Sequence, residues 1–283
     1  MNFTLLAPDW RDVARQLEGV IRIGAVNCED DWQLCRMQGI NSYPALVIYP
    51  LREKYYGDRT TKPLINFAMK HVTAQYKELW SGNFKSEVEQ DESGLPWLIT
   101  VCGDGGDCLE PRTCLKLAAM LEDLVQVGLV DCHSNPKLCE KLGRDYGTYF
   151  YPAGNVKRGE GLEISSLDAQ DIARMVLSQL PDVTVLDKTT FEDIQEKLKT
   201  GQDQAWLIHF VEGDGGHDLE LRKLPAMLND FHIGRVDCSR MRSKCNELHV
   251  HKFPSFMVFK ETGGTEVYYG QCVILRSTSR HVV

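Results

Sequence analysis

The chain has 283 residues, 43% hydrophobic and 25% charged, with a formal net charge of −8. That is the make-up of a folded globular protein of about two to three domains. The acidic balance argues against a nucleic-acid partner, which wants a basic face, and apolar runs such as residues 45–49 are too short to span a bilayer.

Residues 1–10 have neither the charged start nor the apolar core of a secretory leader, and Val283 ends no retention tetrapeptide. In chain order, Ile23-Gly-Ala-Val-Asn27 predicts an apolar strand running into Cys28, and Cys35 follows after six residues. Ser42-Tyr43-Pro44 then heads an Ala-Leu-Val-Ile strand. Glu78-Leu-Trp-Ser-Gly-Asn-Phe84 opens a second copy, with a short strand and a polar helix. A continuous apolar strand, Trp97-Leu-Ile-Thr-Val101, comes next, of the kind covered on both faces. A Gly-Asp-Gly-Gly loop at 103–106 precedes an amphipathic helix at 115–124. Val127-Gly-Leu-Val-Asp131 is the next strand, ending on Cys132, with Cys139 on a helix behind it.

The third copy opens with Val183-Thr-Val-Leu186 and Phe191, and a helix is expected at 192–199. Leu and Phe stand five apart in both openings. Trp206-Leu-Ile-His-Phe210 is its buried strand, and a second Gly-Asp-Gly-Gly loop at 213–216 leads into a helix at 219–228. Ile233-Gly-Arg-Val-Asp237 ends on Cys238, with Cys245 seven residues on. Lys252-Phe253-Pro254 then heads strands at 255–260 and 266–269. The first Cys of each pair recurs at intervals of 104 and 106 residues. Solenoid units run about 20–50 residues, so the repeating unit here is a whole small domain. Alternating strands and helices in the second and third copies predict an α/β fold with a central mixed sheet.

The element order, the Leu-x4-Phe openings, the Trp-Leu strands and the Tyr43-Pro44 and Phe253-Pro254 strand heads resemble the thioredoxin domains of the protein disulfide isomerase family. The resemblance extends to a branch that joins a J domain to a string of thioredoxin domains. It is carried by Leu6-Ala-Pro-Asp-Trp10, Arg22-Ile-Gly-Ala-Val-Asn-Cys28, Leu34-Cys-Arg-Met37, Asn41-Ser-Tyr-Pro44 and Gly105-Gly-Asp-Cys-Leu109 over residues 5–270. It implies tandem thioredoxin-fold domains: 1–76 as the later part of a domain without its Cys-x-x-Cys, 77–181 and 182–270 as redox-inactive domains, and 271–283 as an unrelated tail.

Within the first of these, Ala7-Pro-Asp-Trp10 matches the far half of an active-site helix, and 63–72 a closing helix. The third domain is expected to lack its last helix. Pro44 and Pro254 are implied to be cis, a minority state of about 5% of X-Pro bonds, whereas Thr148 takes the place of that proline in the middle domain. The family acts in the endoplasmic-reticulum lumen, reducing disulfides and helping to clear misfolded proteins. Partners so implied are misfolded clients and quality-control factors. Hsp70 would be engaged only through a J domain, whose His-Pro-Asp motif is absent here. Neither a cofactor nor a membrane association is implied.

Thioredoxin chemistry needs Cys-x-x-Cys at a helix N-terminus, where the dipole lowers the first thiol's pKa. The tightest spacings here are Cys102–Cys108 and Cys108–Cys114, each with five residues between. The family's relay acid, three residues after the strand Trp, is replaced by Thr100 and His209. No catalytic residue is therefore assigned.

For Cys28/Cys35, Cys132/Cys139 and Cys238/Cys245 the alternatives are a second redox centre, a metal site or a stapling disulfide. Zinc ligand pairs favour two to four intervening residues, whereas a strand-to-helix turn brings Cα atoms to disulfide distance. The staple is the expected reading, in keeping with an oxidising compartment, and no metal site is assigned. Cys102 and Cys108 are a candidate fourth bridge for which Cys114 competes, and Cys272 is expected to be unpaired.

The glycine loops lack the Lys-Ser/Thr of a phosphate loop and read as turns. His209 reads as a core histidine, His249 and His251 as exposed, and Trp80, Trp97 and Trp206 as core anchors. Asn2-Phe-Thr4 is a weak glycosylation match. Two functions are compatible with these features: a non-catalytic scaffold or client-binding segment, or a thiol–disulfide oxidoreductase acting through Cys102, Cys108 and Cys114.

Overall fold

The computed structural model describes residues 3–106, 108–213, 219–228, 230–261 and 264–269. Asn2, the second glycine loop beyond Gly213, Cys272 and the 271–283 tail lie outside them. The chain divides into two compact units, Met1–Ala173 and Arg174–Val283.

The first unit begins with helices α1 (Phe3–Gln16) and α2 (Trp32–Met37), the hairpin strands β1 (Leu46–Ile48) and β2 (Glu53–Tyr55), and helix α3 (Thr61–Met69). Leu6, Val13 and Leu17 share one helical face and pack on Leu46, Leu64, Ile65 and Met69. Next in the chain are β3 (Lys77–Glu78), a π-helical turn at Lys85–Glu89, β4 (Trp97–Cys102), α4 (Pro111–Met120), β5 (Gln126–Asp131), α5 (Pro136–Leu142), β6 (Gly147–Tyr151), β7 (Leu162–Glu163) and α6 (Ala169–Leu177).

The sheet order is β3-β5-β4-β6-β7. β4 runs parallel to β5 and antiparallel to β6. Every residue of β4 from Trp97 to Val101 is buried. Because side chains alternate along a strand, Trp97, Ile99 and Val101 face the cluster built with Leu79, Phe84, Val130 and Leu138.

The second unit repeats this plan with β8 (Thr184–Val185), α7 (Lys188–Lys199), β9 (Trp206–Val211), α8 (Leu219–Met227), β10 (His232–Asp237), α9 (Arg242–Glu247), β11 (Ser255–Phe259) and β12 (Thr265–Tyr269). Its sheet order is β8-β10-β9-β11-β12. Asp187 caps α7 by accepting the Thr190 amide at 2.8 Å, filling one of the donors a helix start leaves open. The expected α/β architecture with a central mixed sheet is present in both units.

Four details depart from expectation. The opening helix of the middle copy is only a π-helical turn. It ends where Asp91 and Ser93 form a turn and Gly94 takes a left-handed φ of 67°. The helix expected at 115–124 starts earlier, at Pro111, whose fixed φ suits a first turn. Trp80 is not a core anchor: it is 54% exposed and folds over Gly82. The core places are taken by its neighbours Leu79 and Phe84.

The fourth departure is the largest. Residues 23–27 form no strand, although the equivalent β5 and β10 do. β5 and β10 are held by their parallel partners β4 and β9. Among the described residues no strand pairs with 23–27, and β1 pairs with β2 alone. Backbone groups without a ladder partner stay with water. The side chains agree: Val26 is 55% exposed, whereas Val130 and Val236 are fully buried.

The segment before residue 77 is nevertheless packed onto the middle copy. Lys116 Nζ donates to the Gln16 carbonyl at 3.0 Å, and Gln170 Nε2 reaches the Arg15 and Gln16 carbonyls at 3.2 Å each. Both carbonyls lie in the last turn of α1, where intrahelical donors run out, and Arg15 also accepts the Glu18 amide at 3.5 Å. Leu115 adds apolar contact to the α1–α3 core.

The glycine that opens each Cys-bearing stretch tests this reading. A Cβ on Gly128 would lie 2.6 Å from Leu79 Cδ1, and one on Gly234 would lie 2.7 Å from Leu186 Cδ1, while one on Gly24 meets nothing within 4 Å. Gly128→Ala and Gly234→Ala are each expected to lower unfolding stability by about 1–3 kcal/mol through overpacking. Gly24→Ala should stay within about 0.5 kcal/mol. Urea titrations of the three variants decide, and a Gly24→Ala cost equal to the others would show that its surroundings are filled.

Limited trypsin digestion should cut first at Arg22, which is exposed beside a stretch with no strand partner among the described residues. It should leave the two five-stranded sheets intact. Equal resistance from residue 3 onward would contradict the exposed backbone seen there.

Candidate functional site

β4 is the central strand of its sheet, and its carboxyl end lies where the chain turns from parallel to antiparallel pairing. Open α/β sheets place their chemistry outside such strand ends. Cys102 ends β4, and residues 103–110 carry the chain to Pro111 at the start of α4. The loop is held closely. A Cβ on Gly103 would strike the Asp145 carbonyl, and one on Gly106 would strike the Tyr146 ring, so both positions admit only glycine without displacement. Cys102 and Cys108 are joined across the loop with Cα atoms 5.1 Å apart. Cys108 is exposed and Cys102 is partly so.

Cys114, the competitor for that bridge, lies on the inner face of α4, fully buried and unbridged. Burial pushes its thiol pKa up to about 11, against smaller opposing hydrogen bonds from its own backbone amide and the Thr100 hydroxyl. Thr100 stands opposite Thr148 in the β4–β6 register, and their Oγ1 atoms are 3.1 Å apart in the core. The position expected to hold a relay acid and the position expected to hold a cis-proline therefore form one buried hydroxyl pair beside a protonated thiol. This arrangement contains no group that ionises near neutral pH. The Cys114 thiol is thus held in the protonated form, which is not the nucleophile of thiol–disulfide exchange.

The second unit has the same layout. His209 replaces the relay acid, is buried, and stacks on Phe256 with ring centroids 4.5 Å apart. The Phe253–Pro254 bond is cis. Beside it a shallow depression lies between the Cys238–Cys245 bridge and Phe253, bordered by Glu212, Arg242, Asn246 and His251. His249 and His251 are exposed, with rings 6.4 Å apart. In the first unit Tyr43–Pro44 is cis, and so is Tyr49–Pro50, which no sequence feature signalled. Thr148 follows Gly147, which holds a φ of 110° at the start of β6.

The three repeated cysteine pairs are each joined: Cys28–Cys35 and Cys132–Cys139 with Cα atoms 5.8 Å apart, Cys238–Cys245 at 5.9 Å. Each ties a strand end, or its unpaired counterpart, to a short helix. The Asn or Asp before the first Cys has a role that spacing alone did not show. Asn27, Asp131 and Asp237 accept the amide two residues on, at 3.1, 3.0 and 2.9 Å, through Oδ1. Such Asx turns reverse the chain at once and bring the second Cys back over the first.

Asp131 is held below the usual carboxylate range, chiefly by the Ser134 hydroxyl and then by the His133 amide. Asp237 is held down likewise, first by the Ser239 hydroxyl and next by the Ser239 and Gly213 amides. The Asn or Asp ahead of each Cys is a repeated letter in the sequence, and the structure gives it its turn-forming use. Among the described residues no group of three or more His, Cys, Asp or Glu side chains could hold a metal ion, and no helix is long and apolar enough to cross a bilayer.

No protein-family profile matches the chain. It is 41% identical over 95% of its length to human DnaJ homolog subfamily C member 10, covering 35% of that protein. The Xenopus laevis protein of the same name is 42% identical over 94% of the chain and 34% of its own length. The solved structure described as "Crystal structure of ERdj5 form II" matches 95% of the chain and 37% of its own, at 39% identity and a TM-score of 0.64. Over nearly its whole length the chain is similar to DnaJ homolog subfamily C member 10, and it shares the thioredoxin fold of its solved neighbours. It spans about a third of the length of the curated relatives it matches.

The buried thiol and the bridges give separate measurements. Native protein at pH 8 should leave Cys114 unalkylated by iodoacetamide, and the same protein in urea should label it. Rapid labelling in the native state would place the thiol in solvent. Breaking one staple with Cys132→Ser and Cys139→Ser together should cost about 2–3 kcal/mol of stability in thermal unfolding. A change below about 0.5 kcal/mol would show that the bridge is not structural.

Proposed function

We propose that this chain is a non-catalytic, thioredoxin-fold segment that holds neighbouring parts of an endoplasmic-reticulum disulfide reductase and co-chaperone in place, or holds its misfolded clients. Its organisation is read as 1–76, 77–181, 182–270 and a 271–283 tail. The three Cys-x6-Cys bridges serve as staples.

The observation that carries the reading is at the end of β4. The cysteines there are six residues apart and bridged, and the remaining thiol is buried with its pKa pushed up to about 11. The relationship to DnaJ homolog subfamily C member 10 supports a lumenal location and a place in the handling of misfolded proteins, and the bridges suit that compartment. A role through Cys102, Cys108 and Cys114 has one observation in its favour, the exposure of Cys108. Cys114 could not take part in it as a nucleophile, because burial holds its thiol protonated.

Insulin reduction by the purified chain, with a thioredoxin as reference, tests the reading. Turbidity should rise no faster than with dithiothreitol alone, whereas a rate near that of thioredoxin would end the proposal.

Grafting shows where the activity is lost. Replacing the 103–108 loop by Trp-Cys-x-x-Cys should give little activity, because the Thr100–Thr148 pair still fills the space beneath it. Adding Thr148→Pro and Thr100→Asp together should raise the rate well above the loop graft, since groups that act as a unit are non-additive. Full activity from the loop graft alone would show that the threonine pair is incidental.

A further inference from the structure

We propose that Cys108 is a reversible thiolation site. A low-molecular-weight thiol opens the Cys102–Cys108 bridge at the Cys108 sulfur and frees the loop at 103–106, while the staples Cys132–Cys139 and Cys238–Cys245 stay closed. The switch needs neither a client nor turnover, so it goes beyond the holding role and is tested apart from it.

The bridges differ in access. Cys139, Cys238 and Cys245 are buried, and they pack in the cores of the middle and last copies. Each of those staples therefore has at least one cysteine inside a core. In the Cys102–Cys108 bridge Cys102 is half-buried and Cys108 is exposed, which no other cysteine among the described residues is. Exchange begins when a thiolate reaches a disulfide sulfur, so access selects both the bridge and the sulfur that is attacked.

The chain on either side of the bridge is fixed without it. The Cys102 carbonyl accepts the Cys132 amide at 2.8 Å, at the end of the β4–β5 ladder. After Cys108, Leu109 is buried and Pro111 starts α4. Between these anchors the loop has few holds. Asp104 Oδ1 lies 3.0 Å from His133 Nε2, and both side chains are exposed, so the pair holds weakly. Gly105 and Gly106 lie against the ring of Tyr146, which is itself 47% exposed. Opening the bridge thus gives up surface contacts and leaves the sheet as it was. It also leaves Cys102 and Cys108 on anchored chain, where their Cα atoms stand 5.1 Å apart in the closed form, so the bridge can close again.

The exchange is balanced as follows. The small thiolate attacks Cys108 Sγ, the bond between the two cysteine sulfurs breaks, and a mixed disulfide forms on Cys108. The electron pair leaves on Cys102 Sγ, which takes a proton from water. A second small thiol can attack the sulfur of the first, leaving Cys102 and Cys108 as a dithiol and releasing the small disulfide as the oxidised product. Closure from the mixed disulfide is the reverse of the first step: the Cys102 thiolate attacks Cys108 Sγ and expels the small thiol. Cys114 is not needed at any point. The state of the loop then follows the balance of thiol and disulfide around the protein: closed over Tyr146 and beside His133 when oxidised, free of both when thiolated.

The probe is reduced glutathione, added in excess to the oxidised full chain, with samples quenched in acid at intervals and mapped by peptide mass spectrometry. The Cys102–Cys108 bridge should open at least about tenfold faster than Cys132–Cys139 or Cys238–Cys245, because access sets the rate. Glutathione should be found on Cys108 and not on Cys102. Hydrogen–deuterium exchange of the thiolated chain should speed up at 103–106 and stay unchanged at 97–101 and 126–131.

Two variants test which sulfur reacts. With oxidised glutathione, Cys102→Ser keeps the exposed thiol and should take up one glutathione. Cys108→Ser keeps the half-buried thiol and should react at least about tenfold more slowly. The titration of the unsubstituted chain decides on its own if either variant fails to fold. Opening of the three bridges at one rate, an adduct on Cys102, equal reaction of the two variants, or unchanged exchange at 103–106 after opening would each overturn the proposal.

Discussion

The pairing of one central strand with two unlike neighbours governs both five-stranded sheets. β4 and β9 each run parallel to the Cys-bearing strand and antiparallel to the strand after the cis-proline position. Each is buried on both faces, so it supplies hydrogen bonds sideways and apolar surface above and below. Where that strand is present, β5 and β10 are regular and Val130 and Val236 are buried. Where no such partner stands, residues 23–27 are irregular and Val26 meets water. The same Ile/Val-Gly-x-Val-Asn/Asp-Cys letters thus give strand or coil according to what lies beside them. This is tertiary override of a local preference.

The same strand end decides the chemistry. A thioredoxin fold reserves the exit of its central strand for a dithiol and backs it with an acid and a cis-proline. Here Cys102 and Cys108 are bridged across five intervening residues, the acid position is Thr100, and the proline position is Thr148. Thr100 and Thr148 are register partners and hydrogen-bond one another. Their hydroxyls satisfy each other in the core, where an unpaired polar group would cost about 1–3 kcal/mol. Cys114, beside Thr100, is protonated for the same reason that the pair is stable: water is excluded.

The staples show how a small motif keeps its geometry when the sheet around it changes. In all three copies an Asn or Asp side chain accepts the amide two residues on, and the second Cys rides on a short helix of 6 or 7 residues. The bridge forms in the first copy even though its strand does not. The turn is local, so it does not depend on sheet pairing. In the first copy α1 buries Leu6, Val13 and Leu17 against α3, and its last carbonyls accept from Lys116 and Gln170.

Much was legible in the sequence by itself: the repeat, the alternating strands and helices, the Trp-headed central strands, and the absence of Cys-x-x-Cys. All are short-range patterns of side-chain period and spacing, and they survive any arrangement of neighbours. Trp80 and residues 23–27 were not legible, because burial and strand state there depend on partners distant in the chain. Hydrophobic residues read as core can as well lie over a turn, as Trp80 does over Gly82. Nor was the packing of α1 on residues 115–116 and Gln170 visible, since contacts across about a hundred residues leave no periodic mark. Tertiary structure alone also closed the choice around Cys114: three cysteines at equal spacing are equivalent on paper, and only the inward face of α4, by excluding water, made one of them an inert thiol.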